Sequence, residues 1–333
     1  MSYNLKNKNV LLTGGDGFIG SHLAEKLVKQ CGKLRVLTQY NSLNSWGWLD
    51  NNSLTSGMDI WHGDIRDPGY CRKLIEGMDT VFHLAALIAI PYSYQAPASY
   101  VSTNIMGTTN MLEAAVEKGI ESFYQTSTSE VYGSALQIPI PEDHPLQPQS
   151  PYSASKIASD SIAKSFYSSF DLAVTIIRPF NTYGPRQSAR AVIPTVISQV
   201  LSGVNKIQLG ALSPTRDFNF VTDTCQGFID IAANGGIPGE AINIGSGREI
   251  SIYDLTRLIL NLMNREHVEI VCHQERIRPE KSEVNRLLAE TSKMQKLCNY
   301  KPQTNLKDGL KQTIEWFSDS NNLRRYRSGI YNV

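Results

Sequence analysis

Thr13-Gly14-Gly15-Asp16-Gly17-Phe18-Ile19-Gly20 decides how the first half of this chain is read. The apolar run Val10-Leu11-Leu12-Thr13 leads into it, and Ile19, Leu23 and Leu27 follow at four-residue spacing. A buried strand therefore passes through a glycine turn into a helix with one apolar stripe. Gly14 permits the tight turn, Gly17 lets backbone approach a pyrophosphate, and Gly20 lets the helix pack closely on the strand. The helix N-terminus adds oriented N–H groups for an anion, so strand, spacing and helix agree on a dinucleotide site.

Outward from this turn, short β-branched runs alternate with helical patterns, and strands are predicted at 34–38, 58–62, 80–84, 123–126 and 174–178. Six parallel strands joined by crossover helices imply an α/β fold, a doubly wound Rossmann-type sheet. After Arg178 the sequence becomes punctuated by Pro and Gly, with helices expected near 252–264 and 306–317. This is the expected smaller, interleaved C-terminal substrate-binding region. The expected dinucleotide-binding domain is 1–182 with returning segments around 217–247, and the substrate region is 183–216 and 248–330. The tail after Phe317, rich in Asn, Ser and Arg, reads as loose.

The 333 residues suffice for one large or two moderate domains at ~100–200 residues each. With 32 basic against 31 acidic side chains, the charge of +1 offers no field for nucleic acid or an anionic membrane surface. The longest nearly apolar stretch, 81–90, is half the ~20 residues of a membrane span, and it contains His83. The opening MSYNLKNKNVLL has no secretory pattern. Five scattered cysteines without CxxC spacing argue against disulfides and zinc, so the expectation is a cytoplasmic protein without metal.

Cofactor choice stays open at this level. The end of the second strand, Thr38-Gln39-Tyr40-Asn41-Ser42, has neither the carboxylate that clamps a ribose nor an arginine for a 2′-phosphate, so both NAD and NADP are compatible. Asp64 suits either the adenine amino group or a turn cap. Tyr152 and Lys156 lie four residues apart on a helix predicted over 151–168, which puts both on one face. An adjacent ammonium is expected to lower the phenol pKa and make Tyr152 a base for a hydroxyl proton. At the end of the 123–126 strand, Thr128 is placed to bond a substrate hydroxyl and Glu130 to take a proton beside a carbonyl.

The glycine turn, Tyr152xxxLys156 and Ser127-Thr128-Ser129-Glu130-Val131-Tyr132-Gly133 together resemble the extended short-chain dehydrogenase/reductases that act on nucleotide sugars. Longer strings, Gln39-Tyr40-Asn41-Ser42, Trp46-Gly47-Trp48-Leu49, 83–94 and Arg186-Gln187-Ser188-Ala189-Arg190-Ala191, resemble the nucleotide-activated N-acetylglucosamine 4,6-dehydratases of legionaminic acid biosynthesis. The resemblance implies catalysis by Thr128, Ser129, Glu130, Tyr152 and Lys156. It implies an NAD or NADP that stays tightly bound and regenerates each turnover, held by Gly14, Gly17, Phe18, Ile19, Gln39, Asp64, Ile65, Leu84, Ala85 and Ala86 as well as Tyr152 and Lys156. His83 is expected to line that pocket through its backbone, with its ring satisfied in the strand. Asn181, Arg190, Val192, Arg216 and Arg278 are implied on the side of the nucleotide-diphosphate sugar, GDP- or UDP-linked.

Ser129 stands where many 4,6-dehydratases carry Asp, which leaves the acid for the 6-hydroxyl unassigned. The Thr-Ser-Glu string also occurs in UDP-glucuronate decarboxylases, and a 4-epimerase would use the same scaffold without Glu130. A dinucleotide-sensing regulator would need none of Tyr152, Lys156 and Glu130. The resemblance further implies a homodimer built on the Tyr152 helix and the helix near 108–118.

Overall fold

The computed structural model describes residues 4–50 and 52–326. In chain order its strands are β1 (Asn9–Thr13), β2 (Lys33–Gln39), β3 (Met58–Gly63), β4 (Thr80–His83), β5 (Ser122–Thr126), β6 (Val174–Pro179), β7 (Asn181–Tyr183), β8 (Lys206–Leu209), β9 (Thr215–Phe220), β10 (Ala241–Ile244), β11 (Glu249–Ser251), β12 (Glu269–Cys272) and β13 (Arg286–Leu287). Seven of them form one parallel sheet in the order β3-β2-β1-β4-β5-β6-β10. The sequence reading expected six; β10 adds a seventh beside β6.

Alternation along β1 explains why the sheet is covered on both faces. Val10 and Leu12 pack with Leu23, Leu27, Phe228 and Ile242 on one side, while Leu11 packs with Leu74, Val81, Met111 and Ala163 on the other. The helices Phe18–Leu27 and Val221–Ala233 supply the first layer; Pro68–Ile75, Gly107–Lys118 and Pro151–Phe170 supply the second. Strand order reverses between β1 and β4, so the crevice above Thr13 and His83 is where such a sheet takes its ligand.

The smaller region centres on β9, which pairs with β7, β11 and β13, and has its own core of Ile193, Ile197, Leu255, Ile259 and Leu310. The chain therefore returns later than the expected 217: β9 belongs to the small sheet, and only the helix after it and β10 rejoin the large one. The tail is also not loose over its described part. Tyr326 packs on Phe317 with ring centroids 4.7 Å apart and donates its hydroxyl to the Gln187 carbonyl at 2.9 Å. The expected end of the substrate region at 330 lies outside the described residues.

Two helices position the chemistry. The helix Pro151–Phe170 begins in a reciprocal cap, with Ser153 N donating to Ser150 Oγ at 3.0 Å and Ser150 N to Ser153 Oγ at 2.9 Å, and Pro151 fixes its first turn. Beside it, Val101–Met106 winds as a π-helix between two α-helical segments. That turn aims Asn104 inward. Its side chain accepts from Leu87 N at 2.8 Å and donates to Ser155 Oγ at 2.9 Å, tying the loop after β4 to the Tyr152 helix.

Candidate active site

The glycine turn has the shape its sequence predicts. Gly14 sits at φ 72°, and a Cβ there would fall 2.9 Å from Ala85 N; one on Gly20 would fall 2.0 Å from the Gly14 carbonyl. By contrast, a Cβ on Gly17 would meet nothing nearer than 3.4 Å, so Gly17 presents bare backbone outward. This is a cradle for a pyrophosphate, and the residues fit a dinucleotide.

Across the crevice, Leu84 N and Ala85 N both donate to Thr13 Oγ1, at 3.1 and 3.0 Å. With its lone pairs so occupied, the Thr13 hydroxyl donates to His83 Nδ1 at 2.8 Å, and His83 Nε2–H donates to Thr108 Oγ1 at 3.2 Å. Burial, with Lys156 adding, holds the His83 pKa down at about 3. The ring is thus neutral, and it is satisfied within the strand as expected; through Thr13 it sets the backbone of Leu84 and Ala85 along the crevice. Ile65 is buried, its carbonyl accepting from Asn110 at 2.9 Å, while the half-exposed Asp64 is gripped by Arg66 at 2.5 Å. Phe18 and Ile19 open the first helix and pack on the core, and Gln39 ends β2 exposed.

At the ends of β5 and β6 the residues expected to be catalytic converge. Thr128 caps the short turn Ser129–Tyr132, accepting from Glu130 N at 3.2 Å. Tyr152 is 6% exposed, with its ring edge-on to Tyr100. Burial pushes its pKa well above 10, opposed by the hydrogen bond with Thr128 and aided by the charge of Glu130. The net direction is opposite to the lowering expected from Lys156, because burial is the largest cause. The Lys156 ammonium instead donates to the Thr126 carbonyl at 2.6 Å, and burial brings its own pKa down to about 8, with Asp160 opposing. Behind both, Asp160 pairs with Arg178 at 3.2 Å and accepts from Ser127 Oγ at 2.7 Å.

Among the residues expected on the substrate side, two arginines meet two carboxylates. Arg216 is 6% exposed, donates to the Thr215 carbonyl at 2.9 Å and approaches Glu283 at 3.4 Å. Arg278 Nη1 lies 4.0 Å from Glu130 and 3.9 Å from Glu283. Packing brings these together: Val131 and Tyr132, next to Glu130, share a core with Val284, next to Glu283. Arg278 Nη1 and Asn181 Oδ1 are both buried without a hydrogen-bond partner, the mark of polar groups built to receive a ligand. Arg190 is exposed, with Nε donating to Ser188 Oγ at 3.1 Å, and Val192 opens the helix Val192–Leu201 against the smaller core. Ser129 is buried in its turn.

With this geometry in view, the comparisons are decisive for the family. The GDP-mannose 4,6-dehydratase profile matches residues 11–313. The chain belongs to the GDP-mannose 4,6-dehydratase family. It is 33% identical over 318 residues to a dTDP-glucose 4,6-dehydratase of Streptomyces antibioticus, covering 94% of this chain and 93% of the relative. A UDP-N-acetyl-alpha-D-glucosaminuronate decarboxylase of Bacillus cytotoxicus is 34% identical, with 95% and 99% covered. The crystal structure of a Streptomyces venezuelae dTDP-glucose 4,6-dehydratase with NAD bound has a TM-score of 0.83 at 30% identity, covering 95% of this chain and 98% of that one. Nucleotide-sugar 4-epimerases are also among the similar structures. Members of the GDP-mannose 4,6-dehydratase family therefore share this extended short-chain dehydrogenase/reductase scaffold, and the chain is dehydratase-like within it.

Four residues of the site escaped the sequence reading. Asp160 had a signal, being one more four-residue step along the face of Tyr152 and Lys156. Arg178 closed a predicted strand without a role, and Glu283 and Asn104 had no local signal, because only packing brings them to the site.

Proposed function

We propose that the chain is a 4,6-dehydratase of a nucleotide-diphosphate N-acetylglucosamine, GDP- or UDP-linked, forming the 4-keto-6-deoxy sugar. The observation that carries this reading is Glu130. Its carboxylate, 13% exposed, has a guanidinium 4.0 Å away and its charge acts on the Tyr152 phenol, a placement that an enzyme inverting carbon 4 alone has no use for.

Tyr152 would take the proton of the 4-hydroxyl, assisted by Thr128, once the positive charges of bound NAD and of Lys156 offset the burial that raises its pKa. Bound NAD supplies a hydride acceptor for carbon 4 and a hydride donor for carbon 6. The 4-ketone acidifies the hydrogen on carbon 5, which Glu130 removes. Ser129 is buried in its turn, which supports Glu130 as the group that also delivers a proton to the departing 6-hydroxyl. Arg216 and Arg278 hold the diphosphate through forked donors, and Asn181 orients it or the sugar, with Arg190 and Val192 bordering the sugar. The cycle has no net redox change, so the cofactor stays bound between turnovers.

The resemblance of the long strings to the legionaminic acid enzymes supports the N-acetylglucosamine substrate and a place in nonulosonic acid synthesis, and the scattered cysteines support a cytoplasmic location. Exposed Met106, Val116, Tyr167 and Phe170 on the helices flanking Tyr152 support a homodimer through that face.

The test is incubation with UDP-GlcNAc and GDP-GlcNAc in deuterated water, read by mass spectrometry and proton NMR. Loss of water with deuterium at carbon 5 and a new 6-methyl group is expected with one of them. An inverted carbon 4 without mass loss would make the protein an epimerase. No change with either sugar, but loss of carbon dioxide from a nucleotide-linked glucuronate, would make it a decarboxylase.

A further inference from the structure

We infer that Asp16 selects an unphosphorylated adenosine ribose, so that the chain takes NAD and rejects NADP. The inference rests on the dinucleotide site described above and concerns a residue of the glycine turn that none of the expected cofactor contacts included.

In this fold the pyrophosphate lies on the glycine turn and the adenosine ribose lies between that turn and the end of β2. The usual ribose carboxylate at the end of β2 is absent, and Gln39 stands there instead. Asp16 reaches the same place from the opposite side. Its Oδ2 accepts from Gln39 N at 3.2 Å, which sets a carboxylate at the strand terminus although none is encoded in the strand.

The position of Asp16 is fixed from behind as well. Its carbonyl accepts from Trp48 N at 3.2 Å. Gly47, at φ 64°, passes so close that a Cβ there would fall 2.6 Å from the Asp16 carbonyl oxygen and 2.9 Å from its Cβ. The Trp46-Gly47-Trp48 string, which the proposed chemistry does not use, is thus a clamp on the back of Asp16.

A 2′-phosphate would need a cation here, and the described residues offer none that is uncommitted. No Lys or Arg occurs between Arg35 and Arg66. Arg35 is spent on Asp59 and on the carbonyls of Leu74 and Glu76. Arg66 grips Asp64 with both Nε and Nη2. Arg325 lies over the Trp48 ring, 4.7 Å from its centre, and donates to the Gly47 carbonyl. His62 is held between Thr38 and the Trp46 indole. A carboxylate accepts readily from a 2′-hydroxyl and repels a 2′-phosphate, so one side chain supplies both halves of the discrimination.

The test uses full-length protein freed of bound dinucleotide and titrated separately with NAD and NADP, read by tryptophan fluorescence and by thermal shift. Wild type is expected to bind NAD about a hundredfold more tightly than NADP, and D16N to narrow that ratio about tenfold or more, as loss of one charge-assisted hydrogen bond predicts. D16S repeats the measurement with a smaller side chain in case D16N does not fold. A wild-type preference for NADP, or a ratio unchanged in the folded variants, overturns the inference. Failure of wild type to bind either dinucleotide overturns the cofactor site itself, whereas a correct NAD preference without dehydration overturns only the proposed reaction.

Discussion

Asp160→Asn is the perturbation that best probes the support of the site. Asp160 and Arg178 pair at 3.2 Å with side chains 2% and 6% exposed. Burial pushes the Asp160 pKa up, while Arg178, Lys156 and Ser127 pull it down. The pair as a whole is therefore worth little, yet removing one partner strands the other in a poorly solvated place. Asparagine keeps the size and can still accept from Ser127 Oγ, so only the charge is lost. Arg178 retains the Tyr132 hydroxyl at 3.1 Å and the Glu142 carbonyl at 3.2 Å, which puts the expected loss at the lower end of about 3–5 kcal/mol. Urea unfolding followed by fluorescence and circular dichroism measures it. D160N/R178M should lose less than the sum of the single variants, by about 0.5–3 kcal/mol, because the double variant buries no lone charge. A loss for D160N below about 1 kcal/mol, or strict additivity, would refute the reasoning. A functional readout accompanies it: Asp160 is what raises the Lys156 pKa against burial, so D160N should drive that pKa below about 8 and move the alkaline limb of activity to lower pH.

Y152F should retain dinucleotide binding and lose about 10²–10⁴-fold in turnover, measured as product formed under saturating sugar. E130Q should separate the steps: oxidation at carbon 4 persists, while deuterium incorporation at carbon 5, followed by NMR, disappears. G20A should fail to accumulate as folded protein, since its Cβ would lie 2.0 Å from the Gly14 carbonyl; a normal melting curve with NAD bound would contradict the packing described. The Lys156 pKa is lowered from 10.5 to about 8, so between those values the unfolded chain holds a proton that the folded chain has released. Stability attributable to this group therefore rises with pH from about 8 to 10.5, and the difference between wild type and K156M in urea unfolding should show that slope.

Local patterns were enough where the physics is local. The β1 alternation, the spacing of Gly14, Gly17 and Gly20, and the Ser150-Pro151 helix start each act within a few residues, and each appears where the sequence placed it. The tail was misread because its composition is polar, whereas Trp48, Trp316 and Phe317, brought close by the fold, give Tyr326 an aromatic surface to cover. The return to the large sheet was placed too early because the β9 run looks the same whichever sheet receives it; β7 and β11 decide that.

For the site, local spacing was enough to pick out the candidate groups: a glycine turn between strand and helix, a phenol and an amine one helical turn apart, and a carboxylate at a strand end. Tertiary structure decided their states and company. Burial, which no spacing reveals, raises Tyr152 and lowers Lys156. Contacts between distant segments set Glu283 beside Arg216 and Arg278, and set Asp16 against the end of β2. Spacing along a helix or strand is a property of neighbours in the chain, whereas desolvation and charge pairing are properties of neighbours in space.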